Sequence, residues 1–276
     1  MADDRTTDQR ERRLAWEGCL NARDVGGYAT ADGGVTRWGA VIRSDSPSLL
    51  TQAGHEALEA YGIRTAIDLR FPTELAASPN PFADPAHPID YVHISLIDPD
   101  AQAVPGETQA QEYCRWLDRF APTIGRIITT VARAEDGGVL IHCLGGRDRT
   151  GVTAALLLSL AGVPPDTIAN DYALSSEYLR PRDEEWLANG PGTREQREAA
   201  LARGVTRAEV MHEMLDHLDA QHGGAEAYLL AAGVAPEDLA RIRARLRAPH
   251  EEEIRKARDG RGEYPSVDRA EGLTPS

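Results

Sequence analysis

The chain has 276 residues, 44 of them acidic and 30 basic, for a formal net charge of −14. That length suits one α/β domain with extensions, or two small domains. The acidic balance argues against nucleic acid and anionic membranes as partners, because both reward clustered Lys and Arg, yet it leaves room for one Arg-lined anion pocket. Three widely spaced cysteines, Cys19, Cys114 and Cys143, do not make a disulfide framework. They point to a reducing, cytoplasmic setting. A disulfide from Cys19 or Cys114 to Cys143 is the weaker alternative to two ordinary semi-buried thiols. Met1 to Arg13 is polar, without an apolar signal core. No apolar run reaches membrane-span length, so neither secretion nor stable membrane insertion is expected.

Residues 1–17 read as a flexible leader, 18–247 as a single domain and 248–276 as a disordered polar tail. Asn21 to Tyr28, with its Gly pair, reads as turns around short strands. Ala40 to Arg43 is a strand. A helix follows from Thr51, a capping residue, to Tyr61, where Gly62 can end it. Thr65 to Arg70 is a strand with Asp68 and Arg70 at its end, where an open α/β sheet places its ligands. Phe71-Pro72-Thr73-Glu74 starts a helix or turn. Four prolines between 79 and 88 mark a loop. Ile89 to Leu96 is a third strand, ending near Asp98-Pro99-Asp100.

Residues 109–134 have helical spacing, with Tyr113, Trp116, Leu117 and Phe120 on one side and a break at Pro122. Gly137-Gly138 opens the strand Val139–Cys143. Thr150 to Leu160 is apolar on nearly every side, as a central packed helix must be. Pro164-Pro165-Asp166 starts a helix to about Tyr178. Residues 180–205 are charged and punctuated by Gly and Pro. Thr206 and Glu209 form a possible capping box for a helix to Gln221. Two short helices follow, 225–232 and 236–246. His212, His217 and His222 recur every five residues, which spreads them round a helix, so they read as a solvated face and no metal site is expected. The alternation up to residue 163 predicts an α/β fold: a central, mostly parallel sheet flanked by helices, with a helical C-terminal part.

The chemistry concentrates between Val139 and Gly151. A short apolar run leads into Cys143-Leu144-Gly145-Gly146-Arg147-Asp148-Arg149-Thr150 and then a helix. A loop at a helix N-terminus presents backbone N–H groups and the positive end of the dipole, so it binds anions. The same field favours the thiolate form of Cys143, which is the nucleophile for covalent phosphoryl transfer. Five residues separate Cys143 from Arg149. That span lets the Arg fork return over the sulfur and grip two phosphate oxygens. Thr150 is placed to donate to the thiolate, and Leu144 to Arg149 supply the phosphate cradle. The cradle provides the positive potential itself, so no metal or cofactor is called for.

Cys-x5-Arg-Thr-Gly preceded by His142 resembles the protein-tyrosine-phosphatase superfamily. Gly146-Arg147-Asp148-Arg149-Thr150-Gly151 is similar to its bacterial tyrosine/lipid phosphatase branch, of the mycobacterial secreted type. Asn21-x-Arg23-Asp24-x-Gly26-Gly27-Tyr28, Arg43-Ser44 and Gly223-Gly224-Ala225-Glu226-Ala227-Tyr228-Leu229 match further parts of that pattern. Arg147 departs from it, standing where Lys is usual. The resemblance implies a cysteine-phosphatase fold over roughly 18–247, a phosphocysteine intermediate and a phosphorylated substrate. It also suggests a helical lid, sought within 176–215. His142 is expected to orient the loop and not to act as a base.

The general acid is open among Asp148, Asp68 and Asp98 or Asp100, in that order. Arg23 and Asp24 either touch substrate or brace structure as a buried pair. Arg147 either reads a second anionic group of the substrate or sits in a surface ion pair. Phosphotyrosine protein, phosphoinositides, nucleotides and other small phosphate esters all fit as substrates. A sulfurtransferase or arsenate reductase, and a non-catalytic phosphate-binding module, are the competing readings.

Overall fold

A computed structural model describes residues 11–98 and 104–248. The expected tail from 249 on, the leader up to residue 10, and Asp100 lie outside the described residues. Five strands form one sheet: β1 (Arg23–Asp24), β2 (Val41–Ser44), β3 (Ile63–Asp68), β4 (Asp90–His93) and β5 (Gly138–His142). Their order is β1-β2-β5-β3-β4, with β1 antiparallel and the rest parallel. The expected mostly parallel α/β sheet is present.

β5 is central because its residues are apolar on both faces. Val139 and Ile141 join the larger core, while Leu140 joins a smaller core on the opposite face. The same alternation divides Val41 from Ile42 in β2, as the two-residue period of a strand requires. The smaller core is closed by α1 (Gln52–Ala60) and by the N-terminal segment. Leu14 and Trp16 are buried there, so residues 11–17 are not a loose leader. Arg12 explains the docking: its guanidinium covers the Tyr28 ring at 3.6 Å and bonds the Gly26 carbonyl.

The larger core packs under α3 (Gln109–Arg119), α4 (Ala121–Arg133), α5 (Asp148–Leu160), α6 (Pro165–Tyr178), α9 (Ala208–His222), α10 (Ala225–Ala231) and α11 (Pro236–Leu246). A short α2 (Pro72–Ala77) follows β3. The break between α3 and α4 falls at Phe120, with Pro122 accommodated in the first turn of α4. α7 (Arg180–Asn189) and α8 (Arg194–Arg203) bury none of their residues. They lack the apolar stripe that marks a helix in sequence, which is why 180–205 reads as punctuation. Thr206 does not cap α9, whose N-cap is Arg207. Its hydroxyl bonds Ser176 instead, at 2.7 Å, and ties the start of α9 to the end of α6. No helix among the described residues is long and apolar enough to cross a membrane.

Candidate active site

Cys143 stands immediately after β5, between the ends of β2 and β3, and is 2% exposed. The loop after it turns its carbonyls outward. Ser46 N–H bonds Leu144 O at 3.1 Å. The Asn21 amide donates to Gly145 O and Gly146 O at 3.0 and 3.1 Å. Arg43 donates to Gly146 O at 2.9 Å. Peptide planes so fixed present their N–H groups to the opposite, concave side. Gly146 has φ 65°, and a Cβ there would meet Ser44 O at 2.4 Å. Only glycine fits this turn. Leu144 is exposed at the loop's rim.

α5 begins at Asp148, so the helix dipole points at the same cavity. Arg149 in its first turn is braced by Glu74 of α2 in a two-pronged ion pair, 2.5 and 2.9 Å. Glu74 also accepts Phe71 N–H at 2.7 Å and caps its own helix. Burial works against the Arg149 charge, but Cys143 and Glu74 outweigh it and hold the guanidinium charged. Two prongs used on Glu74 leave further N–H donors for an anion. Thr150 Oγ1 is buried and has no hydrogen-bond partner among the described residues.

Asp148 is half-buried and accepts from Tyr113 and, at 2.9 Å, from Gln109 through one oxygen, Oδ1. Tyr113 in turn meets Tyr172 OH at 2.8 Å. Asp68 is placed differently. It is fully buried, and its oxygens take Arg70 at 2.8 Å, Asn80 at 3.0 Å and Tyr91 at 3.1 Å. Burial favours its neutral form, yet the facing His142, the Arg70 fork and the Asn80 amide outweigh it and hold the carboxyl well below the usual range. An acid so bound has no proton to give and no exposed face. Asp98 is exposed on the loop after β4.

His142 is buried beside Asp68. Asn80 Nδ2 has two hydrogens and two acceptors, Asp68 Oδ2 and His142 Nε2 at 2.9 Å. The imidazole proton therefore lies on Nδ1, which donates to Cys143 O at 3.2 Å. Burial pushes the His142 pKa down to about 4 from 6.5. Below pH 6.5 the unfolded chain takes a proton that the folded chain refuses. The stability is thus complete above that pH and is lost as pH falls toward 4, at about 1.4 kcal/mol per pH unit. Asp24 and Asp45, raised by burial, act with the opposite sign. A comparison of wild type with His142→Gln cancels them. Urea melts at pH 7, 6 and 5 should show the gap between the two proteins narrowing as pH falls; a constant gap would contradict the neutral buried imidazole.

The tyrosine phosphatase family model matches residues 14–248. The chain belongs to this family. It is 35% identical over 218 residues to a tyrosine-protein phosphatase of Nostoc commune, covering 75% of this chain and 74% of that one. It is 30% identical over 270 residues to the triple specificity protein phosphatase PtpB of Mycobacterium tuberculosis, covering 82% and 96%. The protein is thus an enzyme of the tyrosine phosphatase kind.

Behind the phosphatase loop lies a buried charge network that the sequence only half reveals. Asp171 of α6 binds Arg23 at 3.0 Å, Arg43 at 2.6 Å and Tyr28 at 2.8 Å. Arg23 therefore braces structure, and its partner is Asp171, not the adjacent Asp24. Asp24 turns the other way, to the amides of Gly26 and Gly39. Successive residues of a strand must diverge like this. Asp171→Asn leaves two buried guanidinium groups sharing no full charge. It should destabilise the fold by about 3–5 kcal/mol, read as a lower urea midpoint. A loss under about 1 kcal/mol would mean that water reaches the network.

Arg147 is neither a free handle nor a simple surface pair. It is bonded to Asp183 of α7 and reaches Gly204 O, after α8, at 3.4 Å. Arg182 approaches the loop from the same helix, 3.7 Å from Asp45. Glu74, Asn80, Gln109, Tyr113 and Asp171 all support the site without any sequence signal of their own. Each is an ordinary polar residue until the fold brings its partner.

Proposed function

We propose that this phosphatase hydrolyses phosphomonoesters through a phosphocysteine on Cys143, with phosphotyrosine in proteins as its main substrate. The observation that carries the reading is the loop itself: Cys143 buried at its base, its outer carbonyls bonded from behind, and Arg149 braced charged beside it. In the first step the thiolate attacks phosphorus, an S–P bond forms and the ester P–O bond breaks. Asp148 gives its proton to the leaving oxygen. In the second step Asp148 takes a proton from water, which attacks phosphorus and releases the thiolate. Thr150 donates its hydroxyl to the departing sulfur. Arg149 and the loop amides hold the equatorial oxygens throughout, where charge develops.

Asp68 is reassigned in this reading as a positioning residue, holding His142 through Asn80. The tyrosine preference is supported by the family match and by the deep placement of Cys143, which a long aryl ester reaches more readily than a short alkyl one. Phosphoinositides and nucleotides form the second reading, favoured by Arg182 at the loop's rim. The free thiols Cys19, Cys114 and Cys143 suit the reducing cytoplasm.

Helices α7 and α8 are proposed as a cover over the loop. Val210, Met211, Met214 and Leu215 belong to the core, so the cover ends before α9 and is shorter than 176–215. Asp183→Asn releases Arg147 and should raise kcat/KM for a folded phosphoprotein by up to about fivefold, the worth of one part-exposed ion pair. Free phosphotyrosine, which needs less opening, should gain less. An equal gain for both would place the effect in the loop and not in the cover.

The test of the function is phosphate release in EDTA from phosphotyrosine peptide, phosphoserine peptide, phosphoinositides and nucleoside phosphates, with Cys143→Ser as the blank. Preferred turnover of phosphotyrosine peptide supports the main reading. Preference for a multiply charged small ester supports the second. Turnover of none by folded, reduced protein would contradict both.

A further inference from the structure

One group of ligating side chains stands apart from the phosphatase site. Asp118 is near the end of α3, and His217 and His222 are in the last turns of α9. Both imidazoles aim Nε2 at the same oxygen, Asp118 Oδ1, at 2.9 and 2.8 Å. The three ligand atoms lie within 4.8 Å of one another. A five-residue spacing separates side chains by about 140° on a regular helix, which is why the sequence reads as divergent. Here Asp118 arrives from the neighbouring helix between the two rings, and His222 is the final residue of α9. Left-handed Gly223 and Gly224 end the helix there. His212 remains apart, 3.4 Å from Asp166.

The arrangement is held in place. The His222 ring packs edge-on against Tyr228, centroids 5.0 Å apart. Tyr228 donates its hydroxyl to Leu117 O at 2.9 Å, one residue before Asp118. The Gly-Gly-x-x-x-Tyr stretch thus builds one wall of the cluster. Glu213 stands one turn before His217 on α9, and Asp216 and Asp219 flank the same turn in sequence. One carboxylate shared by two imidazoles in an acidic neighbourhood is a setting that favours a cation.

We propose that Asp118, His217 and His222 form a site for a first-row divalent transition metal of the zinc class, which joins α3 to α9. Two imidazole nitrogens and one carboxylate suit such ions, whereas calcium and magnesium take oxygen ligands. Bonds of about 2.0–2.2 Å in a tetrahedron put ligand atoms about 3.4 Å apart. The present Nε2–Oδ1 contacts, 2.9 and 2.8 Å, have about half an ångström to open to reach that spacing. The fourth position is left to water. The site stands independently of the proposed reaction, yet α3 also carries Gln109 and Tyr113, which hold Asp148. Metal at one end of this helix steadies the support of the acid near the other.

The test uses untagged, full-length Cys143→Ser protein, so that the loop thiolate does not compete, stripped with chelator and dialysed against Zn2+ or Co2+. The expected result is one equivalent bound, visible d–d bands with Co2+, and a raised Tm with Zn2+. Asp118→Asn and His217→Gln should each weaken binding by about tenfold or more with the far-UV spectrum unchanged. His212→Gln should not. Absence of binding, or binding that neither Asp118→Asn nor His217→Gln weakens, overturns the site. If one variant misfolds, the other, with the Co2+ bands, decides.

Discussion

Cys143→Ser should lower kcat/KM by at least about 10⁴-fold on every substrate while leaving the fold intact. Serine is nearly isosteric and the site is buried, so the near-UV spectrum and Tm should change little. The loop amides and Arg149 remain, and phosphate binding should survive. What is lost is the nucleophile and, in the second step, the leaving group: an alkoxide is far harder to form and expel than a thiolate. Stopped assays of phosphate release, with the mutant as blank, measure the ratio. A residual rate within about tenfold of wild type would mean that water attacks phosphorus directly, and the covalent account would fail.

Asp148→Asn should cost about 10²–10⁴-fold on a poor leaving group, such as an unactivated alkyl or tyrosyl ester. Asparagine can keep the Oδ1 contacts to Gln109 and Tyr113 but carries no transferable proton. The loss in kcat/KM, which covers only the first step, should shrink toward unity with a nitrophenyl leaving group, which departs without protonation, while kcat stays low because hydrolysis of the phosphocysteine has lost its base. The pH profile supplies the sign. A general acid works protonated, so activity falls as pH rises through its titration, and the mutant should lack that basic limb. Equal losses for good and poor leaving groups would make Asp148 a structural carboxylate. Asp68→Asn should behave in that structural way, because Asp68 is already bound to Arg70, Asn80 and Tyr91.

The loop and the strands around it were readable from local pattern. β5 is an apolar run closed by glycines, Thr51 caps α1 by accepting from Gly54 N–H at 3.2 Å, and Cys143 to Arg149 sit at the spacing that an anion cradle demands. What pattern does not carry is the pairing of charges across the fold. Arg23, Arg43, Arg147 and Arg149 each find a carboxylate 36 to 148 positions away. Nothing in one dimension says that Arg23 chooses Asp171 over adjacent Asp24. The same blindness hides the meeting of Asp118 with His217 and His222, since periodicity describes one helix and the cluster needs two. α7 and α8 escape notice for a different reason: both are exposed, so no apolar stripe announces them.

The most direct measurement is to catch the covalent intermediate. Wild-type protein is mixed with excess phosphotyrosine peptide, quenched within milliseconds in acid, and examined by intact-mass and peptide mass spectrometry. The account predicts one phosphoryl group on the peptide carrying Cys143, in larger yield from Asp148→Asn on a nitrophenyl ester, where the second step has lost its base. Phosphate released at full rate with no label on Cys143 at any quench time would contradict it.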